Sequence, residues 1–338
     1  MSSSLITRRN FVAGGLAAGA LAASGLSARA QAGSLTLYNG QHRVTTEALV
    51  NAFTKATGIN VTMRQGESSQ LANQIIEEGA RSPADVFYSE QSPPLVALDE
   101  KGLLLPADAS TVSQIPAQYA SPNKTWVGAT MRVRVAVYNK TMVKPADLPA
   151  SIVDMATPAW KDKVGYVIRD GFQEQIMAIV KLKGRDGALA WLKALKQNGK
   201  LYNGNGAAMN AVEAGEIATA LVNNYYWYGL AKERGEKNMK SAIHFFQKGD
   251  PGALVNVSPI GILKTTQKAD LAQKFLAFAV SEAGQNAMLA TYAEYPVRPG
   301  VKPHFDLKPL DEIGVAITAH EVGGAALAYE LQREAGIL

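Results

Sequence analysis

Leu35-Thr36-Leu37-Tyr38 is a short strand-forming run that ends in a polar loop, Asn39-Gly40-Gln41-His42, ahead of a helical stripe through Leu49, Val50 and Phe53. Thr45 is placed to cap that helix and Gly58 to stop it. The unit then repeats: strand-like residues 59–64, a helix near 68–80 built on Leu71, Ile75 and Ile76, and the strand Asp85-Val86-Phe87-Tyr88. Alternation of this kind predicts an α/β fold whose mainly parallel sheet carries helices on both faces, because parallel neighbours need a crossover between them.

Further along, residues 126–138 and 253–263 read as long strands that bracket a compact α/β block. The block holds a short strand at 165–168, a helix with Ile176, Ile179 and Val180, helices near 186–198 and 206–215, and a strand at 217–222. That last strand runs into Asn223-Asn224 and a helical pattern beginning Tyr225-Tyr226-Trp227-Tyr228. A helix with Leu271, Phe275 and Phe278 follows the second long strand and returns to the first lobe. The chain's 338 residues exceed the roughly 250 to 300 at which a single core stops growing, so two lobes are expected. No repeat, low-complexity tract or Pro-rich linker interrupts the chain, so the two long strands serve as structured hinge crossings. A ligand then belongs in the cleft between the lobes, at the carboxyl ends of strands.

With 47% hydrophobic and 19% charged residues the chain can bury a sizeable core, which excludes a disordered tail or a coiled coil. The formal charge of +5 invites a nucleic-acid partner. Residues 1–32, however, hold Arg8, Arg9 and Arg29 and no acid, and without these three the 34 basic residues fall to 31 against 29 acidic. A near-neutral chain with no Lys/Arg run does not fit a phosphate backbone. The absence of cysteine excludes disulfides, thiolate metal sites, iron–sulfur clusters and cysteine nucleophiles.

Thr7-Arg8-Arg9-Asn10-Phe11-Val12 precedes a Gly/Ala-rich apolar stretch over 11–26 and the cleavage-like Ala30-Gln31-Ala32. The pattern resembles a twin-arginine (Tat) export signal, with the mature chain beginning near Gly33 in the periplasm. The other reading, a transmembrane anchor, needs about 20 apolar residues, more than this run supplies.

Catalytic signatures are mostly missing: there is no Gly-x-Ser-x-Gly, no His-Glu-x-x-His and no phosphate loop. Gly204-Asn205-Gly206 reads as a turn, and His244, His304 and His320 as surface or packing histidines. Three loops at strand ends stand apart. His42 reads as a turn or capping residue or as a ligand, and Glu90 as a solvated carboxylate or as a ligand. Tyr225-Tyr226 reads as packing, except that helix neighbours point about 100° apart and cannot both enter one core face. At a helix start beside a cleft, both hydroxyls can converge on one point. Two phenolates, a carboxylate and an imidazole suit a hard, highly charged cation, for which Fe(III) is the natural candidate. Its three charges are balanced by one glutamate and two tyrosinates, with two of six octahedral positions left for an anion or water.

With these residues in view, the chain resembles the periplasmic ferric-iron-binding proteins, the transferrin-like receptors of bacterial iron ABC importers, over about residues 34–335. The resemblance rests on Leu37-Tyr38-Asn39-Gly40-Gln41-His42, on Ser82-Pro83-Ala84-Asp85-Val86-Phe87-Tyr88-Ser89-Glu90-Gln91 and on Val222-Asn223-Asn224-Tyr225-Tyr226-Trp227. Asp250-Pro251-Gly252-Ala253-Leu254-Val255 and Ala293-Glu294-Tyr295-Pro296-Val297 add to it. It implies a two-lobed α/β periplasmic-binding-protein fold of type II, with residues 33–132 and 255–305 in one lobe and 133–254 and 306–338 in the other. It implies that His42 and Glu90 bind iron from the first lobe and Tyr225 and Tyr226 from the second. Gln91, Asn205 and Asn223 match positions near a synergistic phosphate or carbonate. At Ile168-Arg169-Asp170-Gly171-Phe172 the chain departs from phosphate-binding relatives, whose turn is small and uncharged. Arg169, or Arg132 or Arg134 on the hinge strand, is then available to an anion, the alternative for the hinge arginines being inter-lobe salt bridges. The implied partners are an inner-membrane ABC permease and the Tat machinery, with no nucleic acid and a monomeric chain. A metal-free receptor for an organic acid or oxyanion is the competing expectation, and a secreted metalloenzyme a third.

Overall fold

A computed structural model describes residues 33–338 apart from Asp170, Val315 and Ala316; the export signal lies outside the described residues. The first half runs β1 (Ser34–Asn39), α1 (Arg43–Thr57), β2 (Asn60–Gln65), α2 (Ser68–Glu78), β3 (Val86–Tyr88), α3 (Ser92–Glu100), β4 (Leu104–Leu105), α4 (Ala109–Val112) and β5 (Trp126–Asn139). It continues with β6 (Val164–Tyr166), α5 (Phe172–Asn198), β7 (Lys200–Leu201), α6 (Asn205–Ala214), β8 (Thr219–Asn223), α7 (Asn224–Arg234) and β9 (Ser241–His244). The last part holds β10 (Val255–Leu263), α8 (Ala269–Ala279), α9 (Glu282–Leu289), β11 (Tyr295–Pro296), α10 (Ala319–Val322) and α11 (Ala326–Glu334). Among the described residues no helix is long and apolar enough to cross a membrane.

Strand order is β2-β1-β3-β10-β5-β8-β6-β7, with β4 beside β10 and with β9 and β11 beside β5. The flanks are parallel, β1 to β2 and β3 on one side and β6 to β7 and β8 on the other. The centre is antiparallel, because β10 runs against both β3 and β5, and β5 against β8. The sheet is therefore mixed where a mainly parallel one was expected. The two long strands account for the difference, since each meets its sheet neighbours head to tail; only β5 passes between the two halves, whereas β10, expected to cross as well, pairs with β3, β4 and the 126–133 part of β5 alone.

The handover is visible in the register of β5. Up to Val133, which faces Val255, it pairs with β10; from Arg134, which faces Asn223, it pairs with β8. All fourteen residues of β5 are buried, as expected of a strand covered on both faces. β5 thus joins two halves of the sheet, as the two-lobed expectation requires.

Local signals explain most boundaries, with one correction. α1 starts directly after His42, and Thr45 does not cap it: Thr45 is buried in the first turn with its hydroxyl 2.8 Å from that of Thr291. Gly58 does end the helix, in the left-handed conformation. α5 breaks at Gly184 (φ +75°), a backbone that side chains disfavour, so the two helices expected around this point share one run.

Candidate metal centre

His42, Glu90 and the tyrosine pair sit where three strands end. β1 delivers the Asn39–His42 loop, in which the Asn39 side chain accepts from the Gln41 amide at 3.1 Å and donates to the Gln41 carbonyl at 2.9 Å. At Gly40 a Cβ would lie 2.8 Å from the Ser68 Cα, so only glycine lets the loop lie against α2. Ser68 Oγ donates to the Gly40 carbonyl at 3.3 Å and accepts from the Glu90 amide at 3.0 Å, which ties the loop after β1 to the loop after β3.

β8 hands directly to α7, so Tyr225 and Tyr226 fall in the first helical turn. Asn224 anchors that turn, accepting from the Val133 amide at 2.9 Å and donating to the Ala293 carbonyl at 2.8 Å. Tyr225 is buried and Tyr226 half-buried, with ring centroids 4.6 Å apart and planes tilted by 33°. The Tyr225 hydroxyl donates to Glu90 Oε1 at 3.4 Å across 135 residues of sequence, and accepts from Asn223 Nδ2 at 3.2 Å. The His42 ring meets Tyr225 edge-on at 5.2 Å between centroids. All four residues singled out in the sequence are thus brought together.

Electrostatics at Tyr225 oppose its ionisation in the free protein. Burial raises the phenol well above its ordinary value, with the Glu90 carboxylate and Tyr226 adding to the rise and Arg132 and Asn223 opposing it. Any cation taking Tyr225 as phenolate must displace a proton. Among the described residues no group of three or more His, Asp or Glu is placed to hold a metal. The phenols are what make this a candidate cation site.

The residues expected near an anion divide. Asn223 is buried and spent internally, accepting from Arg134 Nη1 at 3.0 Å while donating to Tyr225. Arg132 is fully buried, donates to Ser258 Oγ at 2.9 Å and stands 3.6 Å from Glu174 Oε2. Its charge is held above the ordinary guanidinium range: burial works against it, but Glu174, Glu90, Tyr225 and Glu294 outweigh burial. Arg132 therefore has an acidic partner, as in the salt-bridge reading, whereas Arg134 donates to the neutral Asn223 side chain and the Leu221 carbonyl. Asn205, buried, opens α6, and a Cβ on the adjacent Gly206 would come within 4.0 Å of the Tyr226 ring. Gln91 borders a cavity of about 330 Å³ together with Pro94, Gln173 and Tyr329, and none of its hydrogen bonds reaches the tyrosines. Arg169 is exposed and lines a different cavity, of about 260 Å³, with Leu201, Tyr202 and Asn203.

Among the groups the sequence reading missed are Tyr292 and Glu174. Tyr292 packs its ring 4.8 Å from His42 and 5.7 Å from Tyr225. Glu174 receives the Ser92 amide at 3.1 Å, the Ser92 hydroxyl at 2.8 Å and the Asn256 amide, joining the start of α3 to the start of α5. The positive φ of Gly171, +90°, turns the chain into α5 just ahead of it. Burial pushes the Glu174 carboxyl up, and Arg132, Ser92 and Asn256 pull against that rise. A signal existed for Tyr292 in its neighbour, the Ala293–Val297 run, but none for Glu174, which reads as an ordinary first-turn acid.

The mixed sheet joined through β5, and a polar site at the ends of its strands, define a receptor for a small solute. The chain belongs to the bacterial extracellular solute-binding proteins, whose pattern matches residues 48–311. Within them it is a member of the periplasmic ferric-iron-binding proteins, which are binding proteins and not enzymes. It is 45% identical to the major ferric iron-binding protein of Neisseria meningitidis, over 94% of this chain and 98% of the relative. It is 36% identical to the Fe(3+)-binding periplasmic protein of Serratia marcescens, over 96% of each chain. The fold matches iron-bound HitA from Pseudomonas aeruginosa with a TM-score of 0.86 and 46% identity, covering 90% of this chain and 99% of that one.

Proposed function

We propose that this protein captures ferric iron in the periplasm between His42 and Glu90 of one lobe and Tyr225 and Tyr226 of the other, and delivers it to an ABC permease. The observation that carries the reading is the convergence of these four side chains, with the Tyr225 hydroxyl on the Glu90 carboxylate and the His42 ring against Tyr225. The chemistry is consistent: a carboxylate and two phenolates neutralise Fe³⁺, and one imidazole completes four protein ligands. An exogenous anion or water takes the remaining positions. The N-terminus of α6 beside Tyr226 offers backbone N–H groups to such an anion, with Asn205 at its first position. The internal partners of Arg132 and Arg134 and the exposure of Arg169 favour this turn over the arginines.

The lobes are residues 33–132 with 255–305 and residues 133–254 with 306–338, moving about the β5 crossing. Iron meets the tyrosines first, and closure brings His42 and Glu90 across. Because the ligands are split between lobes, iron stabilises the closed form through its greater affinity for it. Export in the folded state by the Tat route and a monomeric mature chain complete the proposal.

Equilibrium dialysis against ferric citrate, with the metal-free chain, its Tyr225→Phe variant and citrate alone as controls, tests the reading. Retention of one iron per chain, lost in the variant, is the expected result. Retention of citrate without iron would replace this reading with an organic-acid receptor.

A further inference from the structure

Gln41 lies between the two first-lobe residues of the site and is fully buried. Its Oε1 is 2.8 Å from the His42 backbone nitrogen and 2.7 Å from His42 Nδ1, and its Nε2 is 2.9 Å from Ser258 Oγ. Ser258 Oγ also receives Arg132 Nη1 at 2.9 Å and lies 2.8 Å from the Glu90 carbonyl.

The direction of every bond in this chain can be worked out from donor and acceptor inventory alone. A backbone N–H only donates, so the Gln41 atom facing the His42 amide is the carbonyl oxygen. A backbone carbonyl only accepts, so Ser258 spends its single proton on Glu90. Its two lone pairs then accept from Arg132 and from Gln41, which makes the Gln41 atom on that side the amide nitrogen. Both ends fix the same amide orientation independently. Oε1, having no proton, can bond the imidazole only if Nδ1 carries one. A neutral His42 is therefore the Nδ1–H tautomer, with its lone pair on Nε2.

We infer that Gln41 is a positioning residue that selects the His42 tautomer and, through Ser258, locks His42 to the Glu90 loop and to strand β10. This rests on the proposed ferric site, for which Nε2 is then the nitrogen that meets the metal. It also explains why two ligands from separate loops arrive as a pair: Arg132 on β5 and Ser258 on β10 hold both. Outer partners of metal-binding histidines ordinarily fix ring orientation and basicity, and their loss costs about 10- to 100-fold in metal affinity.

The test is nitrogen NMR of the ¹⁵N-histidine-labelled, metal-free chain, above the imidazole titration range, with His42 assigned by comparison with His42→Gln. The expected spectrum has His42 Nδ1 in the protonated range and Nε2 in the unprotonated range; the opposite assignment overturns the inference. In Gln41→Met, similar in size but without the acceptor, the tautomer is expected to shift toward Nε2–H and ferric affinity to fall about 10- to 100-fold, with the tyrosinate absorption retained at saturation. An unchanged tautomer in a folded Gln41→Met chain also overturns it. Should that variant not fold, the wild-type spectrum alone decides. A wild-type chain with the expected tautomer that takes up no ferric iron would remove the proposed function while leaving the His42 assignment standing.

Discussion

Tyr225 and Tyr226 are neighbours with different surroundings, and this sets what each can reveal. Tyr226 is half-buried, so Tyr226→Phe is expected to fold normally and to lose ferric affinity by at least about 100-fold, the loss of one charged ligand. Circular dichroism and competition against citrate check both halves of that statement. Tyr225 sits in a field that raises its phenol above the ordinary value, first through burial and then through Glu90 and Tyr226. Below that raised value the phenol is protonated, so each phenolate formed releases one proton and apparent affinity falls about tenfold per unit of acid for each. Two phenols give a slope of about two in a plot of log affinity against pH over the neutral range. A slope near zero would mean that neither ionises on binding.

Elements place the proposed ligands through close backbone approach. Gly40 is the instance at the site: a Cβ there would meet Ser68 backbone, so Gly40→Ala pushes the His42 loop off α2. The expected cost is about 1–3 kcal/mol in denaturant unfolding, together with weaker iron binding, because Ser68 also holds the Glu90 amide. Much at this scale was legible in the sequence. The strands at 126–138 and 253–263 were readable from their length and apolar continuity, and the tyrosine pair from the fact that helix neighbours cannot share a face. Thr45 misled because a threonine three residues past a loop resembles a cap, whereas its hydroxyl is used by Thr291 from a segment 246 residues away. Ser258 and Glu174 escaped for the same reason, their roles being set by partners remote in the chain, whereas Tyr292 was overlooked beside the Ala293–Val297 run that flanks it. The short helix α3, with prolines at its start, lacked the periodic stripe that announced α1 and α2.

At the scale of the whole molecule, buried polar contacts from three separate elements converge on Glu174. Its carboxylate collects Ser92 at the start of α3, Asn256 on β10 and Arg132 on β5, all buried. Removing one member of a buried ion pair leaves the other uncompensated, so Glu174→Ala is expected to cost about 3–5 kcal/mol, read from chemical denaturation. Ser92→Ala, which spares the pair, is expected to cost only about 1 kcal/mol. Small-angle X-ray scattering is expected to show a smaller radius of gyration on iron addition, and an unchanged radius with iron bound would rule out closure. The visible spectrum of the metal-free chain titrated with ferric citrate, with and without carbonate or phosphate and beside Tyr225→Phe, bears most directly on the site. A charge-transfer band that saturates at one iron per chain and weakens in the variant is the expected result. Iron retained with no such band, or a band unaltered in Tyr225→Phe, would contradict ferric ligation by the tyrosine pair.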